Sequence, residues 1–318
     1  MSDKILIIDG MNLFIRNYVM NPALAASGAP IGGTFGYLQS LQKLIREIKP
    51  DKIINVWDGG GGSAKRRSLS KNYKDGRAPL RLNRAYSNMS AEEETQNRYS
   101  QMVKTIEYLN EMPIIQILID DIEADDVIGY ICGMPQLKED VKIIVSMDKD
   151  FFQLCDDKTI VYRPVQNKFL NKARILEEYK IHPTNFALAR AIDGDKSDNL
   201  EGVKGVGMKT IAKKLPFFAE EKTVTLDDLR KHCVQADSEI KLYKNILKEY
   251  KKVVLNYKLM QLYSPSISVG NSKIIVEKIT KFEPKFNRTN VAKMMKVDGF
   301  NEDRWADLFQ KFRSLVAS

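Results

Sequence analysis

Three short apolar runs, at residues 4–8, 52–57 and 141–146, each give way to an acidic residue at or just past the end: Asp9, Asp58 and Asp148. Runs of this length, rich in Ile and Val and separated by helix-length stretches, read as buried strands of an open parallel sheet. In such a sheet the carboxyl ends of the strands share one rim, where ligands bind. Nine carboxylates fall where that rim would gather them: Asp9, Asp58, Glu123, Asp125, Asp126, Asp148, Asp150, Asp195 and Asp198. Acids crowded together repel one another and titrate upward unless positive charge sits among them, so a cluster this size implies bound cations. Oxygen donors with no supporting His or Cys suit Mg²⁺ or Mn²⁺ rather than zinc.

The alternation continues along the first half of the chain. Strand signals at 5–8, 53–57, 114–119 and 143–146 are interleaved with helix signals at 35–48, closed by Pro50, and at 90–111 and 124–132. That order predicts an α/β fold, a parallel twisted sheet with helices on both faces, over residues 1–182. It is interrupted at 59–88, which opens on four glycines and then carries Lys65, Arg66, Arg67, Lys71, Lys74, Arg77, Arg81 and Arg84 against Asp75 alone. Its apolar content is too low for a core layer. Eight like charges in so short a run repel unless something anionic answers them, which points to a nucleic-acid backbone.

Charge over the whole chain agrees. Fifty basic against 41 acidic residues leave a net charge of +9 despite the acidic cluster, so the basic residues dominate elsewhere and a polyanionic partner is expected. Cys132, Cys155 and Cys233 are scattered and show no CxxC spacing, which argues against a disulfide framework and a zinc site and for a reducing compartment. No stretch reads as a signal peptide or a membrane span, so the expected setting is cytoplasmic, with no membrane partner.

Residues 183–262 have a different texture, helices joined by glycine turns. Gly202, Gly205 and Gly207 lie in one tight run, and a helix is expected at 210–215 with Lys213 and Lys214 at its end. Glycines so spaced let the backbone approach a phosphate or a cation closely. This is not a P-loop: Met208 separates Gly207 from Lys209, and the residues before the turn are no strand. A further helix is expected at 238–259, then a tail at 263–318 with no recognisable docking motif. His182, beside Pro183, reads as structural.

Four segments in order carry a resemblance: Glu123-Ala124-Asp125-Asp126-Val127-Ile128-Gly129, Asp148-Lys149-Asp150-Phe151-Phe152-Gln153-Leu154, Gly194-Asp195-Lys196-Ser197-Asp198-Asn199 and Gly202-Val203-Lys204-Gly205-Val206-Gly207-Met208-Lys209-Thr210. With Asp9 and Asp58 at strand ends, they resemble the signatures of the 5′-nuclease superfamily, which includes flap endonucleases, phage 5′-exonucleases and ribonuclease H of the phage type, and the 5′-exonuclease domain of bacterial DNA polymerase I. The match covers roughly residues 4–259. It implies a PIN-like nuclease core with a basic helical arch at about 59–98, then a helix-three-turn-helix region for duplex DNA at 183–262. It also implies two or more divalent ions, Asp9, Asp58, Glu123 and Asp125 serving mainly the first, Asp148, Asp150, Asp195 and Asp198 mainly the second, and Asp126 lying between.

Arg66, Leu69, Tyr73, Lys74 and Arg77 keep the spacing of the family's arch, with Lys65 where the family usually has Phe. By resemblance Lys74 and Arg77 act at the scissile phosphate, Arg66 and Arg67 contact nucleic acid, and Tyr73 either stacks a base or packs locally. The glycine turn, Gly202, Gly205 and Gly207, would offer its amides to the duplex and its carbonyls to a K⁺ ion, while Lys204, Lys209, Lys213 and Lys214 touch the backbone. The implied activity is a structure-specific 5′-nuclease, hydrolysing DNA flaps, 5′ ends or RNA primers in RNA–DNA hybrid during replication. The implied enzyme is a monomer, in a bacterial or phage-infected cell, with replication proteins as partners. Two rivals are a PIN-type ribonuclease acting on single-stranded RNA, which the glycine-turn motif disfavours, and a non-catalytic binder of branched DNA, which predicts missing acids where none of the nine is missing.

Overall fold

The computed structural model describes residues 2–75, 82, 89–236 and 240–317, and divides into two compact units. The first comprises Met1–Asp58, Pro79–Leu118 and Ser268–Ser318, the second Gly59–Ala78 and Ile119–Ile267. This partition differs from one drawn along the chain, because residues 268–318 belong with the first strands rather than standing apart.

In the first unit the strand Lys52–Trp57 lies between Lys4–Asp9 and Ile115–Leu118, both parallel to it, with Asp9 opposite Val56 and Trp57 opposite Leu118. Lys4–Asp9 and Lys52–Trp57 are buried along nearly their whole length, as expected of strands covered on both faces. The 20-residue helix Ala91–Asn110 begins at a capping box in which Ser90 and Glu93 bond each other's backbone amides, with Glu92, Glu93 and Glu94 in its first turn, where the helix dipole favours acids. The last 50 residues form three helices, Val269–Thr280, Arg288–Asp298 and Ala306–Ala317. Phe300 packs on Phe35 and Tyr108, Trp305 meets Phe35 edge-on, and buried Asp298 accepts from Lys104 Nζ at 2.7 Å and the Tyr108 hydroxyl at 2.8 Å. The tail is thus a layer of this unit's core.

In the second unit Val141–Val145 pairs parallel with Thr159–Arg163, and Lys168–Leu170 pairs antiparallel with Thr159–Arg163. The sheet is therefore mixed and mostly parallel, not all parallel. Only four residues separate Arg163 from Lys168, room for a hairpin but not for a crossover. The helix expected at 238–259 is two helices, Lys241–Lys248 and Tyr250–Met260, broken where Glu249 leaves helical geometry (φ −103°, ψ 17°). Residues 237–239 lie outside the described residues, as does much of the expected arch. Among the described residues no helix is long and apolar enough to cross a membrane.

Candidate active site

In the first unit Asp9 closes its strand and also caps the helix Gly10–Met20, one carboxylate oxygen accepting from the Asn12 amide at 3.1 Å. Asp58 follows the adjacent parallel strand and is exposed. The two acids thus stand at the carboxyl ends of neighbouring strands, as expected.

The other seven carboxylates are in the second unit, in two groups. Glu123 precedes the helix Ala124–Cys132, and Asp125 and Asp126 occupy its first turn. Arg66 is the centre of this group: its guanidinium donates to Glu123 and, at 3.2 Å, to Asp126, while its Nε donates to the Leu259 carbonyl at 2.9 Å. Lys74 Nζ donates to the other Glu123 oxygen at 2.6 Å, and the Tyr73 hydroxyl donates to Glu123 at 3.2 Å. Burial alone would push the Glu123 carboxyl up, but Arg66 and Lys74 outweigh it and hold it below the usual carboxylate range. Asp126 goes the other way, raised by burial and by Glu123 beyond what Arg66 offsets.

Two expectations change here. Arg66 is only 8% exposed, with its donors committed to carboxylates and a carbonyl rather than open to a nucleic-acid backbone. Tyr73 is 2% exposed and packs against Leu200, Leu259 and Met260, so local packing is the reading its position supports, not base stacking. Arg67 is exposed. Arg77 lies outside the described residues. Lys74 adopts a left-handed conformation (φ 56°) and its amide donates to the Asp198 carbonyl at 2.9 Å, which ties the basic segment to the 194–199 loop.

The second group gathers Asp148, Asp150, Asp195 and Asp198. Asp148 follows Val141–Val145 and accepts from the Asp150 amide at 2.8 Å. Burial, then the Asp150 charge, push its carboxyl up to about 7, with Asp198 adding to the rise. Asp150 is also raised, by burial first, against the pull of Arg190. Asp195 is lowered: bonds from Ser197 and the charge of Arg190 outweigh its burial. Sequence reasoning missed Arg190. The signal was present, the single basic residue of the helix Phe186–Asp193, set among residues 186 to 192 that are otherwise apolar and buried.

Among the described residues no group of three or more acids, histidines or cysteines is arranged to grip a metal ion. Three cations, Arg66, Lys74 and Arg190, take carboxylate oxygens instead. The donor chemistry nonetheless fits a hard divalent ion: the acids are oxygen-only ligands, and burial, then the charge of Asp150, raise the Asp148 carboxyl.

The glycine turn follows the Phe186–Asp193 helix. A Cβ on Gly202 would collide with the Asp193 carbonyl, and Gly205 sits in the left-handed region (φ 77°), so both positions call for glycine. Gly207 caps the helix Met208–Lys214. Lys204, Lys209, Lys213 and Lys214 are all exposed, and among the described residues none of their ammonium groups has an ion-pair partner. His182 caps a short turn, its Nδ1 2.8 Å from Thr184 Oγ1, a structural role.

Comparison with known proteins agrees with this geometry. Residues 4–180 of the 318 match the 5′-3′ exonuclease N-terminal resolvase-like domain. A 5′-3′ exonuclease of Aquifex aeolicus is 26% identical over 91% of this chain and 93% of its own length. The thermostable DNA polymerase I of Thermus aquaticus is 31% identical over 67% of this chain, which corresponds to 24% of the polymerase. Among solved structures, the bacteriophage T5 flap endonuclease in a complex with DNA and metal ions superposes with a TM-score of 0.66 over 93% of this chain and 99% of that one, at 18% identity. The catalytic core of Rad2 with DNA substrate gives 0.54 at 16% identity, over 98% and 93% of the two chains. At these identities the structural likeness bears on the fold. Together with the match over residues 4–180, it places this chain in the 5′-3′ exonuclease family of the 5′-nuclease superfamily, a family of nucleases.

Proposed function

We propose that this chain hydrolyses phosphodiester bonds at 5′ flaps or 5′ ends of DNA, and of RNA in RNA–DNA hybrids, with divalent cations held by its carboxylates. The observation that carries the reading is the Asp148–Asp150 pair: two acids two residues apart, buried enough that the Asp148 carboxyl rises to about 7, beside a third at Asp198. Asp148, Asp150, Asp195 and Asp198 would serve one Mg²⁺ or Mn²⁺, and Asp9, Asp58, Glu123 and Asp125 another, with Asp126 between. Such an ion, when bound, acidifies water and offsets charge developing on the phosphate.

The protein's own contribution is positioning. Lys74, now donating to Glu123, supplies a cation that can turn to the scissile phosphate, and Arg77 is assigned the same task by family resemblance. Lys204, Lys209, Lys213 and Lys214 hold the duplex by its backbone without reading sequence. A K⁺ ion at the Gly202–Gly207 turn has less support: the carbonyls of Val203, Lys204 and Gly207 already accept bonds from Val206, Asn245, Thr210 and Ile211.

Cleavage of a 5′-labelled flap with Mg²⁺ or EDTA, beside Asp148→Asn, tests the proposal. Mg²⁺-dependent products near the junction that vanish in the variant support it. Flap binding without cleavage by the wild type would overturn it in favour of a branched-DNA binder.

A further inference from the structure

Arg190 spends its three nitrogens on two carboxylates and a backbone carbonyl, as Arg66 does in the other acidic group. It sits on the Phe186–Asp193 helix and is 8% exposed. Its Nε donates to Asp150 Oδ1 at 3.0 Å, one terminal nitrogen donates to Asp195 Oδ2, and the other donates to the Gly194 carbonyl at 3.1 Å, with Asp193 3.8 Å away. Asp150 and Asp195 come from segments 45 residues apart in sequence, and the planar fork of one guanidinium spans both.

The remaining oxygens are unequal. Asp195 Oδ1 accepts from the Ser197 amide at 2.7 Å and the Ser197 hydroxyl at 2.6 Å, so both Asp195 oxygens are engaged. Asp150 has only Oδ1 engaged, by Arg190, and Asp148 only Oδ1, by the Asp150 amide. Among the described residues Asp148 Oδ2 and Asp150 Oδ2 accept no bond.

We infer that Arg190 is a positioning residue: it locks Asp195 as an anchor and fixes Asp150 so that the open oxygens of Asp148 and Asp150 are presented together to a cation. This rests on the reading of the acids as cation ligands, and within that set it assigns the openly presented oxygens to Asp148 and Asp150, with Asp195 serving the same ion through its hold on Arg190. Partners that orient metal ligands in this way commonly change cation affinity about 10–100-fold when removed.

The test is Mn²⁺ binding to the full chain without DNA, followed by electron paramagnetic resonance, alongside the Mg²⁺ concentration needed for half-maximal flap cleavage. Arg190→Gln is expected to raise both the Mn²⁺ dissociation constant and that Mg²⁺ concentration by about 10–100-fold. Arg190→Lys, which keeps the charge but cannot bridge two carboxylates, should fall between it and the wild type. Arg190→Ala should regain Mn²⁺ affinity when millimolar guanidinium is added. Should Gln or Ala fail to fold by circular dichroism, Arg190→Lys decides. A folded Arg190→Gln whose Mn²⁺ affinity stays within twofold of wild type, or tightens, would overturn the inference, as would Arg190→Lys indistinguishable from wild type. A wild type that binds no Mn²⁺ would instead defeat the cation reading itself.

Discussion

The second unit uses positive charge in two opposite ways. Around Glu123 it is buried and consumed: Arg66 and Lys74 pair with acids at 10% and 18% side-chain exposure. Along the glycine turn it is exposed and unspent, with Lys204, Lys209, Lys213 and Lys214 facing solvent. The contrast shows that a net charge of +9 counts residues of two kinds. Buried cations hold the site's shape and cannot be removed without leaving a charge stranded, whereas surface lysines can be changed at little structural cost.

Substitutions should separate the two populations, and the largest effect is expected among the acids between them. Asp150→Asn, which removes a charge that neither population of cations fully answers, should lower Mg²⁺-dependent flap cleavage by more than about 100-fold in a single-turnover assay while leaving duplex binding in place. Arg66→Ala strands Glu123 and Asp126 and should cost about 3–5 kcal/mol of folding stability by denaturant titration. A loss under about 1 kcal/mol would mean that Lys74 alone satisfies Glu123 and that the buried population is not needed. Replacing Lys209 and Lys213 by Ala should leave stability within about 0.5 kcal/mol. It should also lessen the salt dependence of duplex binding, by about one unit of log–log slope for each phosphate that a lysine no longer neutralises. An unchanged slope would remove those lysines from the DNA interface.

The effects in pH dependence oppose each other in sign. Glu123 is lowered in the fold, so its stabilisation is present above its unfolded value and fades as pH falls through the lower folded one. Asp148 is raised from 3.8 to about 7, so its contribution is fully present below about 3.8 and is lost as pH rises through 7. Thermal melts without divalent ions should therefore show a decline between about pH 4 and 7 that Asp148→Asn flattens, whereas Glu123→Gln should act at the acid end. A wild-type profile unaffected by Asp148→Asn would show that its carboxyl is already answered.

These regions also differ in how much of them could be read from the chain. The strand ends and their acids were legible because a buried parallel strand is an uninterrupted apolar run, and Asp9, Asp58 and Asp148 punctuate three of them. The glycines were legible because a tight run of them marks a turn, one that needs glycine beside the Asp193 carbonyl at 202 and favours it in the left-handed backbone at 205. The burial of Arg66 was not, since the partner that draws it inward, Glu123, lies 57 residues away and nothing local separates a paired arginine from a solvated one. Arg190 was hidden in the same way, its ties to Asp150 formed across 40 residues. The break at Glu249 escaped because apolar spacing runs through it on both sides. The antiparallel strand Lys168–Leu170 escaped because three residues carry too little periodicity to announce a direction.

The composition of the first unit from three separated stretches has a consequence for synthesis. Its strands and the Ala91–Asn110 helix emerge early, yet the aromatic partners of Phe35 and Tyr108, which are Phe300 and Trp305, come nearly at the end. At ordinary translation rates of about 5–20 residues per second, the stretch 119–267 holds that unit open for roughly 7–30 s, at the end of which the second unit has all its residues. The nascent chain is thus expected to pass through a stage in which the acidic and glycine-turn segments are assembled while the first unit is half built and its aromatics are bare, the window in which a chaperone would matter most.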